Sequence, residues 1–129
     1  METIIEERPW DTLRDLTLAG DRRALEILLE ELPASEAVRA LLRLNPKDQQ
    51  RLLTTLDPSD AAELIEEVPD HLAAEMVERL PAAEAASILQ ELQSDDQADL
   101  IGDIDTEGVE AILAEMAPEA AADVRRLVE

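Results

Sequence analysis

The sequence predicts an all-α fold, a solenoid of about ten short helices, on three observations. Aliphatic residues recur with a twelve-residue period, each period is interrupted by a helix-breaking or helix-capping residue, and the apolar positions within it carry the spacing of one helical face.

The preceding helix comes first, over about residues 11–19. Asp21 then caps a helix whose apolar positions are Leu25, Leu28, Leu29 and Leu32. From there the period runs without a slip through Leu32, Leu44, Leu56, Val68, Leu80, Leu92, Ile104, Met116 and Val128. After each anchor up to Met116 comes a break, such as Pro33, Asn45 with Pro46, Asp57 with Pro58, Pro81 or Asp105 with Thr106. Asn45 and Asp57 place an N-cap acceptor ahead of a proline in the first helical turn. Ser94 with Gln97 three residues on reads as a capping box. An apolar pair then fills the ninth and tenth positions: Leu52-Leu53, Leu64-Ile65, Met76-Val77, Ile88-Leu89, Leu100-Ile101 and Ile112-Leu113. The end units are looser, with Ala40-Leu41 and Val124-Arg125. Positions 6, 9, 10 and 13 follow the i, i+3, i+4, i+7 rule, and position 6 is usually Ala. Helices this short are marginal alone, so each must lay its stripe on its neighbours. That is the logic of a repeat array, here one domain over residues 1–129 with units from about residue 20 onward.

Composition narrows the function. The chain has 129 residues, no cysteine and one aromatic residue, Trp10. Disulfides, zinc-thiolate sites and thiol nucleophiles are thereby excluded. No run approaches the roughly 20 apolar residues that cross a bilayer. The acidic start Met1–Glu7 lacks the basic and apolar regions of a signal peptide. Net charge is −21, and it is unevenly spread: residues 57–129 hold 21 acids against three bases. Between Arg79 and Arg125 no Lys or Arg occurs, yet twelve acids do. Such a field repels nucleic acid and anionic headgroups and gathers cations. Acidity of this kind also serves plain solubility.

The inventory for catalysis is thin, with one histidine, no tyrosine and no Gly-rich phosphate loop. His71, after Pro69 and Asp70, reads as a surface turn residue. The chain is therefore not expected to be an enzyme. The most informative stretch is Leu92–Asp103. Asp95 and Asp96 fall in a first helical turn, where negative charge offsets the helix dipole. Asp95, Asp99 and Asp103 recur at i+4, and each like-charged pair costs roughly 0.2–0.5 kcal/mol in an isolated helix. That repulsion favours a bound cation. Carboxylates suit Mg²⁺, which keeps most of its water and touches one or two protein oxygens; no EF-hand loop is present for Ca²⁺. Position 8 is also acidic in several units, as Glu63, Glu75, Asp99 and Asp123. Three units per superhelical turn would stack Glu63 near Asp99.

The unit Leu56-Asp57-Pro58-Ser59-Asp60-Ala61-Ala62-Glu63-Leu64-Ile65-Glu66-Glu67 resembles the repeats of the MgtE magnesium transporter's intracellular N domain. Asp95-Asp96-Gln97-Ala98-Asp99-Leu100 is similar to that family's D-D-x-A-D-L segment, and Leu16–Leu25 to its opening. The likeness runs from about residue 10 to 129. It implies a right-handed superhelix that regulates a transporter, preceding CBS domains and a dimeric transmembrane pore. In that family Mg²⁺ bridges carboxylates of the N domain and the CBS domains and closes the pore. By position, the resemblance assigns metal ligation to Glu63, Asp95 and Asp99, with Asp96 a weaker ligand. It implies weak Mg²⁺ binding shared with an absent partner, a cytosolic location beside the membrane, and a homodimer for the full-length protein. The chain ends about where the family's linker to the CBS domains begins, as an excised domain would. The alternative is a solenoid scaffold for protein interaction without specific ion binding, as in the flagellar motor switch protein FliG.

Overall fold

The computed structural model describes residues 9–127; the acidic start Met1–Glu7 and the last anchor, Val128, lie outside them. Among the described residues there are ten helices and no strand: α1 (Pro9–Ala19), α2 (Arg22–Glu31), α3 (Ala34–Arg43), α4 (Pro46–Thr55), α5 (Pro58–Glu66), α6 (Asp70–Glu78), α7 (Ala82–Glu91), α8 (Ser94–Gly102), α9 (Thr106–Ala114) and α10 (Pro118–Leu127). The twelve-residue period corresponds to one helix and one tight turn.

Each turn closes in the way its residues dictate. Gly20 takes φ +70° after α1, its N–H donates to the Thr17 carbonyl, and Asp21 N–H reaches back to Leu16, which together end the helix in a Schellman turn. Asp21 Oδ1 then accepts from Ala24 N–H, and Asn45 Oδ1 from Asp48 N–H, as the sequence predicts. Asp105 caps α9 through Gly108 N–H in the same manner. Two expected caps differ. Asp57 occupies the N-cap position of α5, but Arg22 takes its carboxylate at 2.8 Å, so its side chain bonds no backbone N–H of the helix. Ser94 is the first residue inside α8 and Gln93 is its cap; the Gln97 amide turns instead to the Leu89 carbonyl, 2.8 Å away.

That inversion has a counterpart. Gln49, like Gln97, holds position 6, and its Nε2 donates to the carbonyls of Leu41 and Leu44. Both glutamines thus donate to carbonyls at the end of the preceding helix, adding a second bond to the Leu41 and Leu89 carbonyls that already accept from Leu44 and Leu92 N–H. Ala37, Ala61, Ala73 and Ala85 hold position 6 elsewhere, all buried, and their small side chains let successive helices approach closely.

The core is one continuous cluster along the array. Every ninth- and tenth-position pair from Leu52-Leu53 to Ile112-Leu113 is buried, and so are the anchors from Leu44 to Met116. Helices pack mainly on the helix two along: α3 on α5, α4 on α6, α5 on α7, α6 on α8, α7 on α9 and α8 on α10. The first helix closes one end by packing on α2, α3 and α4. Its Leu13 and Thr17 are fully buried, the Thr17 hydroxyl donates to the Leu13 carbonyl, and the Arg43 guanidinium lies 4.2 Å from the centre of the Trp10 ring. An all-aliphatic interior of this kind is sensitive to lost volume. Leu53→Ala, at a position 1% exposed in α4, is expected to cost about 2–5 kcal/mol of unfolding free energy in urea denaturation.

Candidate metal site

Three grooves open where a helix, and the turn that follows it, faces the helix three units further on. One lies between the α2–α3 turn and α5, one between α6–α7 and α9, and one between α7–α8 and α10. The same spacing carries the end of α5 and the start of α6 toward the start of α8. Glu66, the last residue of α5, feels Asp96 and Asp95, while Asp96 feels Asp70, the first residue of α6.

Both carboxyls hold their protons more tightly than ordinary ones. For Glu66 the largest cause is loss of hydration, followed by the charges of Asp96, Glu63, Glu67 and Asp95. Desolvation also leads for Asp96, followed by Asp95, Asp99 and Asp70. Asp95 Oδ1 accepts from Asp96 N–H at 3.1 Å, which fixes the first turn of α8. The result is a face of like charges drawn from α5, α6 and α8, with no Lys or Arg between Arg79 and Arg125 to neutralise it. All its donors are carboxylate oxygens, the ligand type that hard divalent cations select.

A second carboxylate group lies beside the first groove. One oxygen each from Glu26 on α2, Asp57 and Asp60 lies within 4.8 Å of the others. Loss of hydration raises the Glu26 carboxyl above its usual range, and Asp60 and Asp57 add to the effect, Asp60 both by charge and by a hydrogen bond; Arg22 opposes it. Arg22 already neutralises part of this group through Asp57, at 2.8 Å. Among the described residues no salt bridge joins Asp95, Asp96, Asp99 or Glu66 to a cation.

The sequence model of the MgtE intracellular N domain matches residues 32–129. The chain belongs to that family. A crystal structure described as the soluble part of a magnesium transporter is similar in fold, with a TM-score of 0.79 at 21% sequence identity. The match covers 97% of this chain and 49% of that one. No curated protein matches the sequence.

Of the four residues that the MgtE resemblance singles out, Asp95, Asp96 and Asp99 share one face of α8. Glu63 lines the first groove with Glu26 and Asp60, and its charge adds to the raised proton affinity of Glu66. Glu66 and Asp70 escaped the sequence reading, as did the group of Glu26, Asp57 and Asp60. Glu66 falls at position 11, a solvent position by the helical period, and nothing local marks it. Asp103 ends α8 as its C-cap residue, at the opposite end from Asp95. His71 lies exposed in the first turn of α6.

Because the folded-state affinities of Glu26, Glu66 and Asp96 for protons are raised, folding is disfavoured once these groups ionise. Their effect is absent below the unfolded carboxylate range and grows as pH rises through the higher folded values. Glu110 works the other way, since Arg125 holds its carboxyl low and that stabilisation fades as pH falls. With three groups against one, the thermal midpoint is expected to rise on acidification from pH 7 toward pH 5. Asp96→Asn should raise the midpoint at pH 7 and flatten this dependence in a calorimetric pH series.

Proposed function

We propose that this chain is a Mg²⁺-responsive regulatory domain, working on the cytosolic side of an MgtE-type transporter. What supports the reading is the electrostatic coupling of Glu66 to Asp96 and Asp95, carboxyls of a different helix whose charges raise its proton affinity, with no salt bridge to a base among the described residues. Asp95, Asp96 and Asp99 are the proposed metal-facing residues of α8, with Glu63 one helical turn before Glu66 on the other side. No reaction is catalysed. The domain acts by binding.

The mechanism is electrostatic. Hydrated Mg²⁺ placed on this face relieves repulsion that the fold itself imposes. A further acidic surface, from CBS domains in the same polypeptide, would complete the ion's ligand set. With Mg²⁺ present the two surfaces adhere and the transmembrane pore, a homodimer in the full-length protein, closes. When Mg²⁺ falls, like charges separate the surfaces and the pore opens. An open, solvated site with few protein ligands suits this task, because it empties over the range in which the ion varies. The residues 1–129 serve as one regulatory unit in this scheme.

Amide shifts of isotopically labelled protein, titrated with MgCl₂ at high fixed KCl, test the proposal. The expected result is saturable shifts around Asp95–Asp99, Glu66 and Asp70, with about millimolar affinity in the absence of the partner surface. Asp95→Asn with Asp99→Asn should weaken the response at least threefold. Small shifts spread over the whole chain, reproduced by NaCl at equal ionic strength, would overturn it.

A further inference from the structure

The three grooves are one feature repeated along the array. A shift of four units carries Leu29, Glu30, Leu32 and Ala34 of the first groove onto Val77, Glu78, Leu80 and Ala82 of the α6–α9 groove. A shift of five units carries Ala34, Leu56, Glu63 and Leu64 onto Ser94, Met116, Asp123 and Val124 of the α7–α10 groove. The backbone therefore makes equivalent clefts, and their side chains distinguish them.

In the later two grooves the acids are already engaged. Glu78 accepts from Asp105 N–H at 3.3 Å, Asp105 caps Gly108, and Asp123 pairs with Arg126. The first groove differs. Its wall carries five carboxylates, Glu26, Glu30, Asp60, Glu63 and Glu67, over a floor in which Leu29 and Leu32 are half-buried and Leu56 and Leu64 are buried. Among the described residues Glu30, Glu63 and Glu67 pair with no cation. A small hydrated ion would leave the leucine floor uncovered, and an apolar ligand would leave the acidic rim unmatched. Both demands are met by an amphipathic helix with an aliphatic stripe flanked by lysine or arginine. The cleft, about 240 Å³, has room for anchor side chains from such a helix while its backbone stays outside.

We infer that the groove between the α2–α3 turn and α5 is a docking site for a basic amphipathic helix of a partner protein. Aliphatic anchors rest on Leu29 and Leu32, and the flanking cations meet Glu30, Glu63 and Glu67. This binding needs no Mg²⁺, and it shares Glu63 with the region of the proposed metal-facing residues.

Fluorescence anisotropy of a fluorescein-labelled helical peptide, with a leucine stripe between lysine rows, tests this in EDTA at near-physiological KCl. Saturable binding is expected. Glu30→Gln with Glu63→Gln should weaken it about tenfold, the loss of two charge-assisted contacts. Glu91→Gln with Glu115→Gln, which removes equal charge outside the groove, should change it less than about twofold. A peptide with serine in place of leucine should bind at least tenfold more weakly. Circular dichroism checks that each variant remains folded. Equal loss in the two double variants, or undiminished binding of the serine peptide, would reduce the effect to a general acidic field and overturn the site. Sedimentation of the chain alone as a dimer, abolished by Glu30→Gln with Glu63→Gln, would assign the groove to a second copy and overturn it as well.

Discussion

The whole architecture depends on the contact between each helix and the helix two units along. Most helices here have nine or ten residues, too few to persist alone in water. They persist because the ninth- and tenth-position pair of each unit is buried among its neighbours, and because an aliphatic anchor follows each helix into the turn. With a single aromatic side chain in the chain, no large ring can compensate for a missing contact. Stability is spread along the array, as in other repeat proteins.

Packing every second helix has a geometrical consequence. Beyond the first helix, three pairs of helices three units apart (α2 and α5, α6 and α9, α7 and α10) face each other across open grooves, so their polar residues meet in partly desolvated surroundings. The acidic face arises there, at the meeting of α5, α6 and α8, as do the Glu26–Asp57–Asp60 group and the first groove. Repulsion already present within α8 is added to when packing couples it to Glu66 and Asp70 of other helices. The fold thus stores electrostatic work in the region where a cation or a basic segment would release it. The two proposals, a helix in the first groove and Mg²⁺ at the α8 face, overlap at Glu63, which lines the groove and adds to the field at Glu66.

Membership of the MgtE intracellular N domain family sets these features in a biological frame without supplying their details. The related crystal structure has low sequence identity to this chain, so it speaks to the fold. The positions that matter for binding must be judged on this chain's own residues. On that basis Asp95, Asp96 and Asp99 gain two neighbours, Glu66 and Asp70, and Glu63 moves to the edge of a different cleft.

The sequence by itself determined the helices, their order and their buried faces. The reason is local: the period of Leu44 to Met116, the caps at Asp21 and Asn45, and the prolines each act within one unit. It also determined the sign of the field and the acidic first turn of α8. Only the tertiary structure decided which acids meet. The packing of separate helices couples Glu66 to Asp96 and brings Glu26 close to Asp57 and Asp60, which no local pattern within one unit could specify. It also redirected Asp57 to Arg22 and Gln97 to Leu89, because partners 35 and eight residues away in sequence became nearer than the helix N-termini those side chains were expected to cap.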